Sequence, residues 1–375
     1  MWLCLVAPIN PRNNEYLRDA RASANLTGLR LKLFIEQNSE YKVDVIHSDV
    51  QNPYEVDYSK YEYVGITSYH PTMEYDLRFA KAVSEIFNVT VVFGGPNPSF
   101  LPEVYSEYGI VVQGEGEKLL LKILNEHIYE GVYGWGDLSL ELWRELTVNT
   151  PIEQAPWEEI WQFNRVNYGV REAIRIISQI GCKRKCVFCS VPNFTKTIKY
   201  LTTEQLKFVC DKASSLLPKT GVIMLQGDDE LYGKAKRRFF ELYEQGYRFK
   251  HPVILQTEAN RIDDEIAYVL KELNVEMVGL GVESFSQNIL DEFEKKVTVE
   301  DNERALEVLL EHGITPYANM ILRGLESSDE DVEYTLERIE YWKKRGVRFG
   351  INKYTIPLPG SKLWQKQKNR KIKSS

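Results

Sequence analysis

The sequence predicts an α/β protein built from two parallel-sheet domains, an open sheet followed by a partial (β/α)6 barrel. Three observations lead there. Short apolar runs alternate with amphipathic stretches of helical period from Met1 to about Glu117, and again from Arg171 onward. Between them the rhythm fails, in a region holding Gly131, Gly134, Gly136, Pro151, Pro156 and the tryptophans 135, 143, 157 and 161. A length of 375 residues with 43% hydrophobic content suits two domains with separate cores. The expected divisions are 1–128 for the first domain, 129–170 for an aromatic-rich connector, 171–364 for the barrel and 365–375 for a basic tail.

In the first domain, strands are expected at Leu3–Ala7, Val43–His47, Tyr63–Thr67, Val89–Phe93 and Ile110–Val112. The clearest helix lies between the third and fourth. There Tyr75, Phe79, Ala82, Val83, Ile86 and Phe87 share one face, with Arg78, Lys81 and Glu85 opposite. Ligands of such sheets sit at the C-terminal strand ends, here the loops at 67–72, 94–100 and 113–117. In the second domain, strands are expected at Ala173–Ser178, Val222–Gln226, Val253–Gln256, Val275–Val282, Thr315–Leu322 and Phe349–Ile356. Helices fit Thr203–Leu216, Lys234–Gln245, Asp263–Leu273, Val299–His312 and Ser328–Arg345. These βα units imply a barrel with its function on the loops after the strands.

Charge and composition exclude several classes. A net charge of −7 gives no bulk attraction to nucleic acid or to anionic membranes. No apolar stretch approaches the roughly 18 residues that spanning a bilayer requires. The apolar N-terminus lacks a basic region and reads as a buried strand, not a signal peptide. The basic run from Lys362 to Lys373 reads as a solvated, disordered tail. Five cysteines, three of them within eight residues, point to metal ligation in a reducing cytoplasm, not to a disulfide framework.

Those three are Cys182, Cys186 and Cys189, in Gly181-Cys-Lys-Arg-Lys-Cys-Val-Phe-Cys189, directly after the first barrel strand. Thiolates are standard ligands of iron–sulfur clusters, and a short loop can wrap three of them around one cube. With no fourth cysteine nearby, one iron stays open for substrate. Cys210 falls in a helix beside Leu206 and Val209 and reads as core. The competing readings are a zinc site, which usually takes four protein ligands, and a cluster that only senses or carries electrons.

Cys-x3-Cys-x2-Cys after a strand, with Phe188 before the last cysteine, resembles the radical S-adenosylmethionine (radical SAM) family. The resemblance implies a [4Fe–4S] cluster whose open iron holds S-adenosylmethionine and yields a 5′-deoxyadenosyl radical. It extends over about Arg171 to Trp364. Gln226, Gly227, Asp228 and Asp229 close the second strand where the family contacts the methionine amino group, although the usual Gly-Gly-Glu is absent. Glu283 and Ser284 resemble the fourth-strand Gly-x-Glu-Ser signature, and Gln256 and Glu258 end the third strand. Arg323 precedes a glycine turn, Gly324, that the resemblance places toward the adenine. The S-adenosylmethionine site is therefore expected from these residues and Phe188.

The first domain resembles the Rossmann-like (flavodoxin-like) cobalamin-binding domain that precedes one radical SAM branch. The matching stretches carry Thr67, Ser68, Tyr69 and His70, then Gly94, Gly95 and Pro96, then Gly114 and Glu115. Gly94 and Gly95 would line the groove for the nucleotide tail, and Thr67 and Ser68 would offer hydroxyls. The Asp-x-His-x-x-Gly pattern that ligates cobalt elsewhere does not occur, and the branch in question often lacks it too. The resemblance implies a cobalamin-dependent radical SAM enzyme, methylating an unactivated carbon of a small molecule. It also implies an external electron donor of flavodoxin or ferredoxin type. The alternatives are hydrogen abstraction or rearrangement with a vestigial first domain, and a non-enzymatic redox sensor or electron-transfer protein.

Overall fold

The computed structural model describes residues 1–6, 15–46, 52–134, 165–168, 171–195 and 197–373. The chain forms two compact units, Met1–Arg165 and Val166–Ser375. Most of the expected connector, together with Ala7 and His47, lies outside the described residues.

Unit one contains β1 (Trp2–Val6), α1 (Glu15–Asn38), β2 (Lys42–Ile46), β3 (Tyr63–Thr67), α2 (Met73–Phe87) and β4 (Thr90–Gly94). After these come α3 (Pro96–Phe100), α4 (Pro102–Tyr105), β5 (Ile110–Val112), α5 (Glu117–Asn125) and β6 (Val132–Tyr133). The strands pair in parallel in the order β2-β1-β3-β4-β5-β6. Such a sheet is buried on both faces, which is why Tyr63, Val64 and Ile66 of β3 are all core residues. Leu3, Leu5, Val43, Val92 and Ile110 pack with Ile35 of α1 and Leu119, Ile123 and Leu124 of α5.

One face differs from its expectation. On α2 the buried residues are Asp76, Phe79, Ala80 and Val83, while Tyr75 and Ile86 are exposed. The buried face is shifted toward Asp76, whose carboxylate accepts from Ser68 and Thr72 at 2.5 and 2.6 Å.

β7 (Arg165–Tyr168) spans the division, and unit two continues with β8 (Arg171–Ile176), β9 (Gln179–Ile180), α6 (Val191–Phe194) and β10 (Lys199–Tyr200). The array continues with α7 (Thr203–Leu216), β11 (Val222–Leu225), α8 (Lys234–Glu244), β12 (Val253–Thr257), α9 (Asp264–Glu272) and β13 (Val275–Glu283). It closes with α10 (Gln287–Glu292), α11 (Val299–Glu311), β14 (Thr315–Ile321), α12 (Asp329–Lys344), β15 (Arg348–Asn352) and α13 (Lys362–Lys373). The sheet order is β15-β14-β13-β12-β11-β8-β7, and the six strands from β8 to β15 run parallel, a curled half-barrel. Ala173, Val222, Ile254 and Met277 form an apolar row across four neighbouring strands. Capping boxes at Thr202/Gln205, Thr298/Asp301 and Ser328/Asp331 open α7, α11 and α12.

The basic run expected as a disordered tail is instead helix α13. Leu363 anchors it: the residue is buried, and its N–H donates to the Val187 carbonyl at 2.8 Å.

Candidate functional site

The cysteine loop lies between β9 and α6 and is held at several points. Gly181 has φ +93°, and a Cβ there would stand 2.4 Å from the Thr197 carbonyl oxygen, so only glycine fits. Its N–H donates to Asp228 Oδ2 at 2.6 Å, and its carbonyl accepts from Gln179 Nε2 at 2.6 Å. Val187 N–H donates to the Phe293 carbonyl at 3.0 Å, and Cys189 N–H to the Cys186 carbonyl at 3.1 Å. Phe188 meets Phe293 edge-on at 5.3 Å, packing with Val187 and Ile289.

Cys182, Cys186 and Cys189 all line one cavity of about 500 Å³, with Lys183, Lys185 and Lys362 on its wall. Burial raises all three thiols, Cys186 to about 11 and Cys189 to about 12. No three His, Cys, Asp or Glu side chains among the described residues converge on a single ion. A tetrahedral zinc needs such convergence. Thiolates that each take a separate iron of one cube do not, so the donor set fits an iron–sulfur cluster. Cys4 and Cys210 are fully buried elsewhere.

The other residues expected around S-adenosylmethionine stand at the C-terminal ends of four consecutive strands. Gln226 to Asp229 follow β11, Gln256 and Glu258 close β12, Glu283 and Ser284 close β13, and Arg323 follows β14. Their roles divide. Gln256 Nε2 donates to the Gly227 carbonyl at 2.5 Å, tying two strand ends together. Asp229 is fully buried, accepting from Thr257 Oγ1 at 2.6 Å, and is committed to the wall. Ser284 is also fully buried, its hydroxyl paired with Thr335 Oγ1 at 3.0 Å. Arg323 ion-pairs with Asp329, and the face of Gly324 is filled by the Glu292 carboxylate, 2.2 Å from where a Cβ would sit. The loop after β11 is fixed by Arg238, which donates to Glu230 Oε2 at 2.9 Å and to the Ser178 carbonyl at 3.0 Å.

Glu283 has φ +60° and sits at a register shift between β13 and β14, the kind of irregularity that re-aims a side chain. It is buried, not a solvated strand-end acid, and Lys295 Nζ lies 3.0 Å from its Oε1 and 2.9 Å from Glu258 Oε1. Burial opposes the Lys295 charge, yet the two carboxylates hold the ammonium firmly protonated. Sequence reasoning missed Lys295. The available signal was the pair of acids on adjacent strand ends, which require a counter-charge. It also missed Arg184, which donates to the Lys295 carbonyl at 2.6 Å and to Asn260 Oδ1 at 2.7 Å.

At the C-terminal edge of the first sheet, Thr67, Tyr69, His70, Pro96 and Glu115 are half-buried. Ser68 departs from its expected part. It is fully buried, and its hydroxyl is engaged by Asp76 and by Tyr105 Oη at 2.8 Å, so it braces the loop from beneath. Asn97 Nδ2 donates to the same Tyr105 oxygen at 3.0 Å. Gly95 needs its glycine for a φ of +98°, and Gly114 has φ +82°, with its N–H donating to Ser99 Oγ at 2.8 Å. Gly94 differs. Its φ is ordinary, and a Cβ built on it would meet nothing within 4 Å. Among the described residues no contact requires glycine there, and bare backbone faces open space at a strand end, as a close-lying cofactor requires.

Comparison with known proteins agrees with this geometry. Residues 176–339 match the sequence profile of the Radical SAM superfamily. An uncharacterized methyltransferase of Pyrococcus horikoshii is 26% identical over 80% of this chain and 68% of its own length. The anaerobic magnesium-protoporphyrin IX monomethyl ester cyclase of Rubrivivax gelatinosus is 26% identical over 82% of this chain and 58% of its own. The chain thus spans between about half and two thirds of these relatives. Among solved structures, the radical S-adenosylmethionine methyltransferase TsrM from Kitasatospora setae superposes with a TM-score of 0.71 at 14% identity. That match covers 96% of this chain and 74% of TsrM, whose structure holds tryptophan substrate and an S-adenosylmethionine analog. A second TsrM structure holds cobalamin and a [4Fe–4S] cluster. At that identity the likeness establishes the fold.

Proposed function

This chain is a radical SAM enzyme, and from that premise we propose that it is a cobalamin-dependent methyltransferase acting on an unactivated carbon of a small molecule. The observation that carries the reading is the convergence of Cys182, Cys186 and Cys189 on one cavity beside the first strand of a six-stranded parallel half-barrel. In this reading the three thiolates hold a [4Fe–4S] cluster. Gln226, Asp228, Gln256, Glu258 and Glu283 line the S-adenosylmethionine site, with Phe188 packing under the loop. Asp229 and Ser284 act from behind, fixing the strand ends that carry these groups. Lys295 bridges Glu258 and Glu283 and holds both carboxylates in place.

The cobalamin site is assigned to the C-terminal edge of the first sheet, with Thr67, Tyr69, His70, Gly94, Gly95, Pro96, Gly114 and Glu115 around it. Two features support it: the β2-β1-β3-β4-β5 strand order, which places ligands at that edge, and the open face at Gly94. When bound, the cluster and cobalamin supply radical generation and methyl carriage; the protein's share is positioning and the exclusion of water. The methyltransferase relative and the TsrM fold support methyl transfer.

The test is cofactor stoichiometry. Anaerobic protein supplied with iron, sulfide and hydroxocobalamin should carry about four irons and about one corrin per chain. It should also cleave S-adenosylmethionine only in the presence of a strong reductant. Iron with no corrin would remove the methyltransferase reading.

A further inference from the structure

The outer side of the cysteine loop carries charge that the site above does not use. A second cavity of about 300 Å³ is lined by Lys183, Arg184, Lys185, Arg261, Lys295 and Lys296, with Glu294 as its one carboxylate. This concentration stands out on a chain whose net charge is −7. Lys295 and Arg184 are drawn into the interior by Glu283 and Glu258, and Glu294 is already paired with Lys362. Lys183, Lys185 and Lys296 are exposed and make no salt bridge among the described residues. Lys183 and Lys185 also line the cavity of the three thiols, so the cations flank the short path from solvent to the cysteines.

Unpaired like charges crowded on one short loop repel one another, and an incoming anionic surface relieves that repulsion. The chain has five cysteines, and the two outside the loop are buried singly, so it offers no second thiolate set to pass an electron inward. An electron delivered from outside these residues arrives across the surface nearest the thiols.

We propose that Lys183, Lys185 and Lys296, with Arg261 beside them, form the docking face for an acidic one-electron donor protein. The proposal rests on the reading of the three cysteines as cluster ligands. The donor loses one electron and the cluster gains it, with no bond made or broken. Charge complementarity orients the donor because the remainder of the chain is net acidic and repels it.

The experiment follows cluster reduction in the full, cluster-loaded chain by anaerobic stopped-flow. The two reductants are a reduced acidic [2Fe–2S] ferredoxin and the methyl viologen radical cation. With ferredoxin, the wild-type rate should fall as salt rises. At low salt the Lys183→Gln/Lys185→Gln/Lys296→Gln variant should be slower by about tenfold or more, while reduction by the cationic methyl viologen radical is not slowed. Lys296→Gln alone, outside the cysteine loop, should show a smaller loss in the same direction even if the triple variant fails to hold iron. Three results would overturn the docking face: an unchanged ferredoxin rate, equal slowing with both reductants, or slowing of the wild type by inorganic phosphate at matched ionic strength. The last would make the cavity a small-anion site. A wild-type chain that takes up no iron would instead overturn the cluster reading itself.

Discussion

Replacing Gly94 by alanine separates a ligand's demand for glycine from the fold's. The added Cβ would meet nothing within 4 Å, and the backbone φ is ordinary. The folded protein therefore accepts the methyl, while the unfolded chain loses conformational freedom. The expected gain is about 0.4–1 kcal/mol, or roughly 1–4 °C in Tm for a unit of this size. Corrin binding should move the other way. A methyl pushed into space that a cofactor fills costs about 1–3 kcal/mol, equivalent to a Kd about five- to 150-fold weaker. The assay titrates hydroxocobalamin into the protein by absorbance, beside a thermal melt of the same sample without corrin. Gly94→Leu should abolish binding and still fold. A Gly94→Ala protein that melts lower, or one that binds corrin as the wild type does, would refute the reasoning that the open face exists for the cofactor.

Other expectations follow from buried charges. Burial pushes the Asp76 carboxyl up to about 7, against the hydrogen bonds from Ser68 and Thr72 that favour its ionised form. The unfolded chain titrates this group near about 3.9. Between those values the native state keeps a proton that the unfolded state releases. The contribution is thus complete below about pH 4 and lost as pH rises toward 7, by at most roughly 4 kcal/mol. Asp76→Asn should flatten that slope, measured by urea unfolding at pH 5 and pH 8; an unchanged slope would contradict it. Lys295→Met leaves Glu258 and Glu283 without their shared cation and should destabilise by about 3–5 kcal/mol at pH 7. The loss should be smaller at pH 5, where a buried carboxylate can take up a proton. Equal losses at the two pH values would show that the ammonium acts through packing alone.

The parts of the fold legible in the sequence are those specified by local signals. Tyr63–Thr67 and Ile110–Val112 were expected and observed with the same bounds, because an apolar run between polar turns marks a buried strand. Thr203–Leu216 also kept its bounds, opened by the Thr202/Gln205 capping box that the sequence spells out. The cysteine loop was legible because its spacing is itself the signal. What escaped was non-local. Lys295 meets a carboxylate 37 residues away, and that pairing has no periodicity. The shifted buried face of α2 includes Asp76, a residue that hydrophobic patterning assigns to solvent. Ser68 and Ser284 sit at the expected strand ends, but their hydroxyls point inward to Asp76 and Thr335. Sequence position fixes the strand end, while the direction of a short polar side chain depends on the partner beneath it. The strands β9 and β10, two residues each, are too short for alternation to register.

The central claim is that Cys182, Cys186 and Cys189 hold a cluster that cleaves S-adenosylmethionine, and one anaerobic comparison tests it. Wild type and the three single Cys→Ala variants are reconstituted with iron and sulfide, then assayed with reductant and S-adenosylmethionine for iron content and 5′-deoxyadenosine. The account predicts about four irons per wild-type chain, with 5′-deoxyadenosine formed by the wild type and by none of the variants. Stoichiometric zinc in place of iron, or undiminished 5′-deoxyadenosine from any one variant, would contradict it.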